Sequence, residues 1–196
     1  MDLACQRCHL QQCIPHIVRP TGPVFLIVCP MTDSVSSVSV SDALSCVPLA
    51  DCMSAPALLP VLTALLESTW PDWYGAGGRG DARADLARYA QGSGVPFGMV
   101  LLQQGKAIGF AALKNEGFGD WPGPWLGAAT VQAALRGQGL GSQLFGALEA
   151  AAQAQGFASL YAATSTAASL LARRGWLCLQ PQQADQPGIW RLDFKR

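Results

Sequence analysis

The sequence has little charge, and that charge is not biased toward either sign. Lys and Arg together number 13, Asp and Glu also number 13, and the formal net charge is zero. This balance argues against a nucleic-acid-binding protein that is held by a broad basic face. The sequence also lacks the run of about 18 apolar residues that a membrane-spanning helix needs. We therefore expect a globular, cytoplasmic protein that binds neither nucleic acid nor membrane.

The length of the chain predicts one domain and an extension. The 196 residues are 50% hydrophobic, and a domain of about 150 residues folds without metals or disulfides. A serine-rich stretch over 31–42 resembles a linker. We predict an N-terminal extension over 1–42, either poorly ordered or upstream of the natural start because Met31 and Met53 are internal methionines, and a folded domain over 43–196.

Cysteines are concentrated in the extension. Six of the seven lie in the first 52 residues, and an odd number without a secretory signal does not indicate a disulfide framework. Cys5-Gln6-Arg7-Cys8-His9 fits the c-type haem attachment pattern, and Cys13 and His16 add ligand types that zinc accepts. However, no export signal and no second ligand pair accompany them, and such short motifs also occur by chance. We favour an unstructured leader without a metal.

The domain shows alternating strand and helix signals. Asp81 is a predicted N-cap, Gln104-Gly105 a hairpin turn, Gly156 a helix C-cap, and Thr164 or Ser165 the cap of the last helix. Strands are predicted over 43–49, 97–103, 107–113, 125–131, 159–163, 176–180 and 188–194, and helices over 55–68, 81–90, 140–155 and from 164 to 174. A hairpin followed by strand, helix, strand and helix predicts an α/β fold in which helices flank a mixed sheet.

One glycine-rich segment carries the chemistry. Arg136-Gly137-Gln138-Gly139-Leu140-Gly141-Ser142 lies between a predicted strand and the longest predicted helix. Glycines allow a ligand to approach the backbone closely, and N–H groups at a helix start favour phosphate. A Walker loop would need a lysine after the glycines. A dinucleotide fingerprint would need its third glycine one residue later and an acid after the second strand. Neither pattern fits.

The segment instead resembles the pyrophosphate loop of the GNAT superfamily of acetyl-CoA-dependent N-acetyltransferases. The match is Arg-x-x-Gly-x-Gly after a strand that ends in valine, and 125–131 looks like the family's fourth strand. The segment 170–176 looks like its closing helix and Gly-aromatic strand start. The resemblance covers 43–196, and Trp70-Pro71-Asp72-Trp73-Tyr74-Gly75 is similar to small bacterial members. It implies a mostly antiparallel mixed sheet whose strands splay at the CoA cleft.

The resemblance also implies a mechanism. Acetyl-CoA would serve as cosubstrate without a metal, and the backbone N–H of Val131 would polarise the thioester carbonyl. A primary amine of a small molecule, peptide or protein would then attack directly in a ternary complex, in a monomer or homodimer. The cofactor-binding residues implied are Ala129, Thr130, Val131, Arg136, Gly137, Gln138, Gly139, Leu140, Gly141, Ser142 and Thr164.

Two positions depart from the family. Leu171 stands where a tyrosine often protonates the leaving thiolate, and Thr164 stands where an asparagine often contacts CoA. The predicted catalytic side chains are Glu67 and Tyr161. Glu67 and Asp72 flank the aromatic turn that should line the acceptor side, and Glu116 and Asp120 are further carboxylates in the loop before the strand 125–131. Aromatic residues that could form a cation-recognising pocket are Trp70, Trp73, Tyr74, Trp121 and Trp125. The alternative function is a catalytically weak or silent acetyl-CoA-binding module.

Overall fold

A computed structural model describes residues 43–92, 94–117 and 121–195. The predicted extension, with its haem and zinc motifs, and Asp120 lie outside these residues. Strands are β1 (Leu44–Pro48), β2 (Phe97–Gln103), β3 (Lys106–Lys114), β4 (Trp125–Val131), β5 (Ser159–Thr164), β6 (Leu177–Gln180) and β7 (Gly188–Asp193). Helices are α1 (Leu49–Cys52), α2 (Leu58–Thr69), α3 (Pro71–Tyr74), α4 (Ala82–Tyr89), α5 (Leu140–Ala154) and α6 (Ala168–Arg173).

The seven strands form one sheet in the order β1-β2-β3-β4-β5-β7-β6. Neighbouring strands are antiparallel except β4 and β5, which run parallel. The predicted mixed, mostly antiparallel sheet flanked by helices is therefore confirmed. No helix in the described ranges is long and apolar enough to cross a membrane.

Helices cover both faces of β2 and β3, and this explains why these strands are almost continuously apolar. Met99 and Leu101 pack with Leu144 and Leu148 of α5 in one cluster. The second cluster joins β2 and β3 to α1, α2 and α4, and it contains Val100, Phe110, Leu62, Leu66 and Leu86. Alternate residues of each strand thus supply the two halves of the core.

Several helix caps and turns lie where the sequence predicts them. The Asp81 carboxylate accepts a hydrogen bond from the Ala84 N–H at 2.9 Å and caps α4. Gln104 and Gly105, with φ of 51° and 74°, form the β2–β3 turn. The last helix departs from the prediction, because α6 begins at Ala168. The Thr164 hydroxyl instead accepts from the N–H groups of Thr166 and Ala167, so it caps the turn that precedes α6.

Replacement of Leu66 by Ala should destabilise the domain strongly. Leu66 is 0% exposed between α2 and the sheet, and loss of a buried leucine side chain costs about 2–5 kcal/mol. The matched control is Leu177→Ala, because Leu177 is 59% exposed and its change should cost roughly 0.5 kcal/mol or less. Urea unfolding measures both. Equal free energies of unfolding for the two variants would contradict this core assignment.

Candidate active site

The sheet opens between β4 and β5. These strands pair at a single position, where Trp125 lies opposite Tyr161, and the Tyr161 N–H donates to the Pro124 carbonyl at 2.9 Å. Beyond this pair the strands separate, as predicted for splayed strands. A cavity of about 810 Å³ lies between them, lined by residues 126–131 of β4, the first turn of α5 and residues 163–167.

Backbone groups of β4 face this cavity. The N–H of Gln132 donates to the Ile108 carbonyl on the β3 side at 2.8 Å. Successive N–H groups of a strand point in opposite directions in the sheet. The N–H groups of Val131 and Ala129 therefore point away from β3, into the space from which β5 has diverged. They offer hydrogen-bond donors to an extended ligand.

The glycine-rich loop supplies a second set of donors at the end of β4. Gly137 and Gly139 both have φ of 81°, a region that costs other residues roughly 1–2 kcal/mol. Gly139 is also the N-cap of α5. Among the described residues, none accepts a hydrogen bond from the N–H groups of 137–141. These donors and the positive end of the α5 dipole suit an anion such as phosphate.

Arg136 fastens this loop to β4. Its Nε donates to the Val131 carbonyl at 3.0 Å, and the residue lines the cavity. The carbonyl points to the same side as the Val131 N–H, because both belong to one strand residue. Arg136 therefore holds the loop beside the donors of β4 and keeps its positive charge next to them.

Arg174 fastens the first turn of α5 from the other side. Its guanidinium binds both carboxylate oxygens of Glu149 and donates to the Ser142 carbonyl and hydroxyl at 2.9 and 3.0 Å. The Trp176 indole N–H donates to the same Glu149 at 2.9 Å. The hydrogen bond that Arg174 donates to Glu149 raises the pKa of Arg174, so the charge persists. Sequence reasoning did not single out this group.

Three predicted cofactor-binding side chains have other partners or positions. The Ser142 hydroxyl binds Arg174, and the Ser142 N–H donates to the Gly139 carbonyl at 3.0 Å, so neither group points to a ligand. The Thr130 hydroxyl lies 2.9 Å from that of Thr69 and 3.5 Å from the Val131 carbonyl, so it has partners within the chain. The Gln138 side chain is exposed outside the cavity. Of these three residues, only Gln138 keeps a backbone that is available to a ligand, because the Thr130 backbone pairs with β3 and the Ser142 carbonyl accepts from Arg174.

A second cavity adjoins the first at one point on β4. Its volume is about 510 Å³, and it shares Trp70, Gly127 and Ala128 with the first cavity. Gly127 is the extra residue of a β-bulge, because Ala112 pairs with Ala128 whereas Leu113 pairs with Leu126. A Cβ at Gly127 would lie 2.9 Å from the Tyr89 hydroxyl. The missing side chain therefore leaves the junction open, and a glycine inside a strand is the signal that could have revealed it.

Two tyrosines line the second cavity as neutral hydroxyls. The Tyr74 hydroxyl donates to Asp85 at 2.7 Å. Burial, followed by the hydrogen bond to Asp85, raises the pKa of Tyr74, and burial likewise raises the pKa of Tyr89. Tyr89 is the hydroxyl nearest the junction. It can donate to an oxygen or accept from an amine without titrating near neutral pH.

The predicted catalytic side chains lie away from this junction. Glu67 and Asp72 are exposed and line neither cavity. Tyr161 is buried beside Trp125, with ring centroids 5.5 Å apart, at the closed end of the splay. Six strand residues separate that end from Val131, which corresponds to roughly 20 Å. Neither Glu67 nor Tyr161 is therefore retained as a catalytic group.

The other singled-out residues divide between the two cavities and the surface. Leu171 is buried and, like Thr164, lines the first cavity. Trp70, Trp73 and Tyr74 line the second. Trp121 and Trp125 contact Tyr161 instead. Glu116 is exposed and pairs with Arg88 at 3.6 Å. The aromatic turn thus lines the second cavity, whereas the tryptophans near β4 pack against Tyr161.

A profile of the acetyltransferase (GNAT) family matches residues 62–176. This range covers more than half of the chain and includes β4, the glycine-rich loop and α5. The chain belongs to the GNAT family. It is an acetyl-CoA-dependent acyltransferase, and the recognition from the loop and its flanking strand is confirmed. A search of curated proteins finds none that is similar to this GNAT chain.

Solved structures share the fold at low sequence identity. An aminoglycoside 6'-N-acetyltransferase complexed with coenzyme A has a TM-score of 0.61 and 16% identity, over 79% of this chain and 98% of that one. The aminoglycoside 6'-N-acetyltransferase from Enterococcus faecium has a TM-score of 0.60 and 18% identity, over 79% of this chain and 98% of that one. N-acetylglutamate synthase from Neisseria gonorrhoeae, complexed with coenzyme A and N-acetyl-glutamate, has a TM-score of 0.54 and 17% identity. The match covers 79% of this chain and 36% of that one. At these identities the likeness shows the fold alone.

Replacement of Gly141 by Val should weaken acetyl-CoA binding without unfolding the domain. Gly141 lines the first cavity, and a Cβ there meets only Leu170 at an ordinary 3.6 Å. The larger side chain then occupies ligand space, and we expect Kd to rise at least about tenfold, or 1.4 kcal/mol. Calorimetric titration measures this change. The control is Gln153→Val on an exposed part of the same helix, and equal affinities of the two variants would contradict the site.

Replacement of Arg174 by Met should raise the KM for acetyl-CoA several-fold and leave the KM for the amine unchanged. The variant removes the contacts that hold Ser142 and leaves Glu149, which is 12% exposed, without its cation. The neighbouring exposed Arg173→Met is the control. Arg174→Lys should restore only part of the effect, because it lacks the planar fork. An unchanged KM for acetyl-CoA in a folded Arg174→Met variant would exclude this positioning role.

Proposed function

We propose that this GNAT chain transfers the acetyl group of acetyl-CoA to a primary amine, which attacks directly in a ternary complex. The observation that supports this function is the junction of two cavities at Gly127 and Ala128. One cavity has donors suited to a diphosphate and an extended arm, and the other has room for a small acceptor. Direct attack requires such a junction, because the two substrates must meet without an enzyme nucleophile.

The donors of the first cavity would hold coenzyme A in order along its length. The diphosphate binds the N–H groups of 137–141, beside the guanidinium of Arg136. The pantetheine arm then follows the open edge of β4, where it hydrogen-bonds with Val131 and Ala129. This direction takes the thioester away from the loop and toward the junction.

The thioester belongs at Gly127 rather than at Val131. Val131 does not line the second cavity, and four strand residues place it roughly 13 Å from Gly127. The bulge leaves Gly127 outside the regular ladder with β3. We therefore move the polarising role predicted for Val131 to the N–H of Gly127, where it stabilises negative charge on the thioester oxygen. Val131 keeps a binding role.

The remaining steps need little from side chains. The neutral amine forms the new C–N bond, the C–S bond breaks, and the electron pair leaves on the thiolate of coenzyme A, while the amide nitrogen releases one proton to water. Leu171 cannot protonate this thiolate, but a thiol pKa of about 8.5 makes it a tolerable leaving group in water. The Tyr89 hydroxyl beside Gly127 orients the amine by a hydrogen bond, since its raised pKa keeps it neutral.

Acetyl-CoA binding and amine-dependent release of thiol test this function together. We expect saturable binding by calorimetry, and thiol release detected with DTNB only when an amine is present. Gly141→Val should reduce both signals, whereas Gln153→Val should reduce neither. Tight binding without thiol release for any amine would favour the silent module, for which the buried Leu171 is the structural argument. Undetectable binding by folded protein would contradict the proposal itself.

A further inference from the structure

The carboxylates of the second cavity already have partners within the chain. Asp85 accepts from the Tyr74 hydroxyl at 2.7 Å and pairs with Arg88 at 3.3 Å. Asp81 accepts from the Ala84 N–H at 2.9 Å and caps α4. A cationic acceptor would have to compete with these partners. The cavity therefore lacks a carboxylate that is reserved for a substrate ammonium group.

The aromatic wall is also occupied by a cation of the chain. The Arg79 guanidinium lies over the Trp73 ring, 5.5 Å from its centroid. A ring face that contacts one cation in this way attracts a second cation poorly, because the two positive charges repel each other. The predicted cation-recognising pocket is therefore already filled at Trp73.

Two cations of this cavity have no acidic partner. Ion pairs within 43–92, 94–117 and 121–195 involve Arg88, Arg174 and Arg191, whereas Arg79 and Lys114 line the cavity unpaired. The Lys114 side chain lies 3.0 Å from the position of a Cβ at Gly127. The Lys114 ammonium, which has no acidic partner among the described residues, therefore lies within the length of a lysine side chain from Gly127.

We propose that the acceptor is a small primary amine that also carries an anionic group, which Lys114 and Arg79 bind. This inference rests on the function proposed above and narrows its acceptor class. A guanidinium stacked on a tryptophan and a flexible ammonium are both suited to carboxylate and phosphate oxygens. The Lys114 side chain passes Gly127 with its Cγ and Cδ atoms, whereas its ammonium lies two bonds farther along, so an anionic group on that ammonium leaves the junction to the amino group of the same molecule.

This charge arrangement also compensates for the lack of a carboxylate base. Arg79 and Lys114 carry two positive charges against one carboxylate of the acceptor, and this excess positive charge lowers the pKa of the bound amine, because like charges disfavour the protonated form. The amine therefore loses its proton to water more readily before it attacks. Bond formation to the acetyl carbon and departure of the thiolate then follow as described above.

A matched series of amines tests the inference. δ-Aminovalerate, pentylamine and cadaverine have the same chain and differ in whether the far end is anionic, neutral or cationic. We expect kcat/KM for the anionic member to exceed the other two at least about tenfold, which corresponds to about 1.4 kcal/mol. β-Alanine, propylamine and their diamine analogue repeat the comparison at a shorter spacing, and ethanolamine phosphate against ethanolamine extends it from carboxylate to phosphate.

Charge variants of Lys114 locate the preference in the cavity. Lys114→Gln should abolish the advantage of the anionic amine, and Lys114→Glu should reverse the order in favour of the diamine. The control is Lys106→Gln at the exposed β2–β3 turn, which should keep the wild-type order. Acetyl-CoA affinity should be the same in all three variants, since Lys114 does not line the first cavity.

The outcomes separate this inference from the proposed function. Thiol release that is equal for all three amines, or greatest for the diamine, would overturn the inference and leave N-acetyl transfer intact. An anionic preference that persists in a folded Lys114→Glu variant would also overturn it. No thiol release with any amine, despite acetyl-CoA binding, would overturn the proposed function and this inference together.

Discussion

The site depends on two neighbouring strands that pair at only one position. β4 and β5 join only where Trp125 meets Tyr161, and a buried backbone donor without a partner is costly. The edge of β4 beyond this pair therefore has to be satisfied by something other than protein. In the proposed complex the amides of the pantetheine arm provide that satisfaction, so the opening in the sheet and the proposed binding of coenzyme A are two aspects of one constraint. The indole and phenol rings at the closed end determine where the separation starts.

Two arginines convert this opening into a defined site. Arg136 ties the glycine-rich loop to the last carbonyl of β4, and Arg174 ties the first turn of α5 to Glu149 and to the end of α6. Loops at helix starts are otherwise among the less stable parts of a domain. With both ends held, the N–H groups of 137–141 are fixed in place before a ligand arrives. Preorganised donors bind phosphate more tightly because less ordering is left to the moment of binding.

Local patterns predicted the fold well, and they predicted the glycine-rich loop at the start of α5. β2 and β4 match their predicted ranges to the residue, because strong apolar runs ended at clear turn signals. The short helices α1 and α3 were not predicted, since four residues carry no periodicity. The acceptor side was predicted least well, because it depends on contacts between residues far apart in the sequence. Glu67 is close in sequence to Trp70 but faces solvent, whereas Tyr89 and Lys114 meet at Gly127 from two different elements. A local sequence pattern cannot predict such a contact between residues that are far apart in the chain.

The clamp between Arg174 and Glu149 has a consequence for the width of the opening in the sheet. α5 packs on the half-sheet of β1 to β4, whereas α6 contacts β6 in the other half. Between these halves the strands contribute one pairing position, so their spacing depends on this ion pair and on the apolar contacts that Leu160, Leu171 and Trp176 make with α5. Changes at Arg174 and Glu149 would therefore alter both the width of the opening and the hold on the first turn of α5.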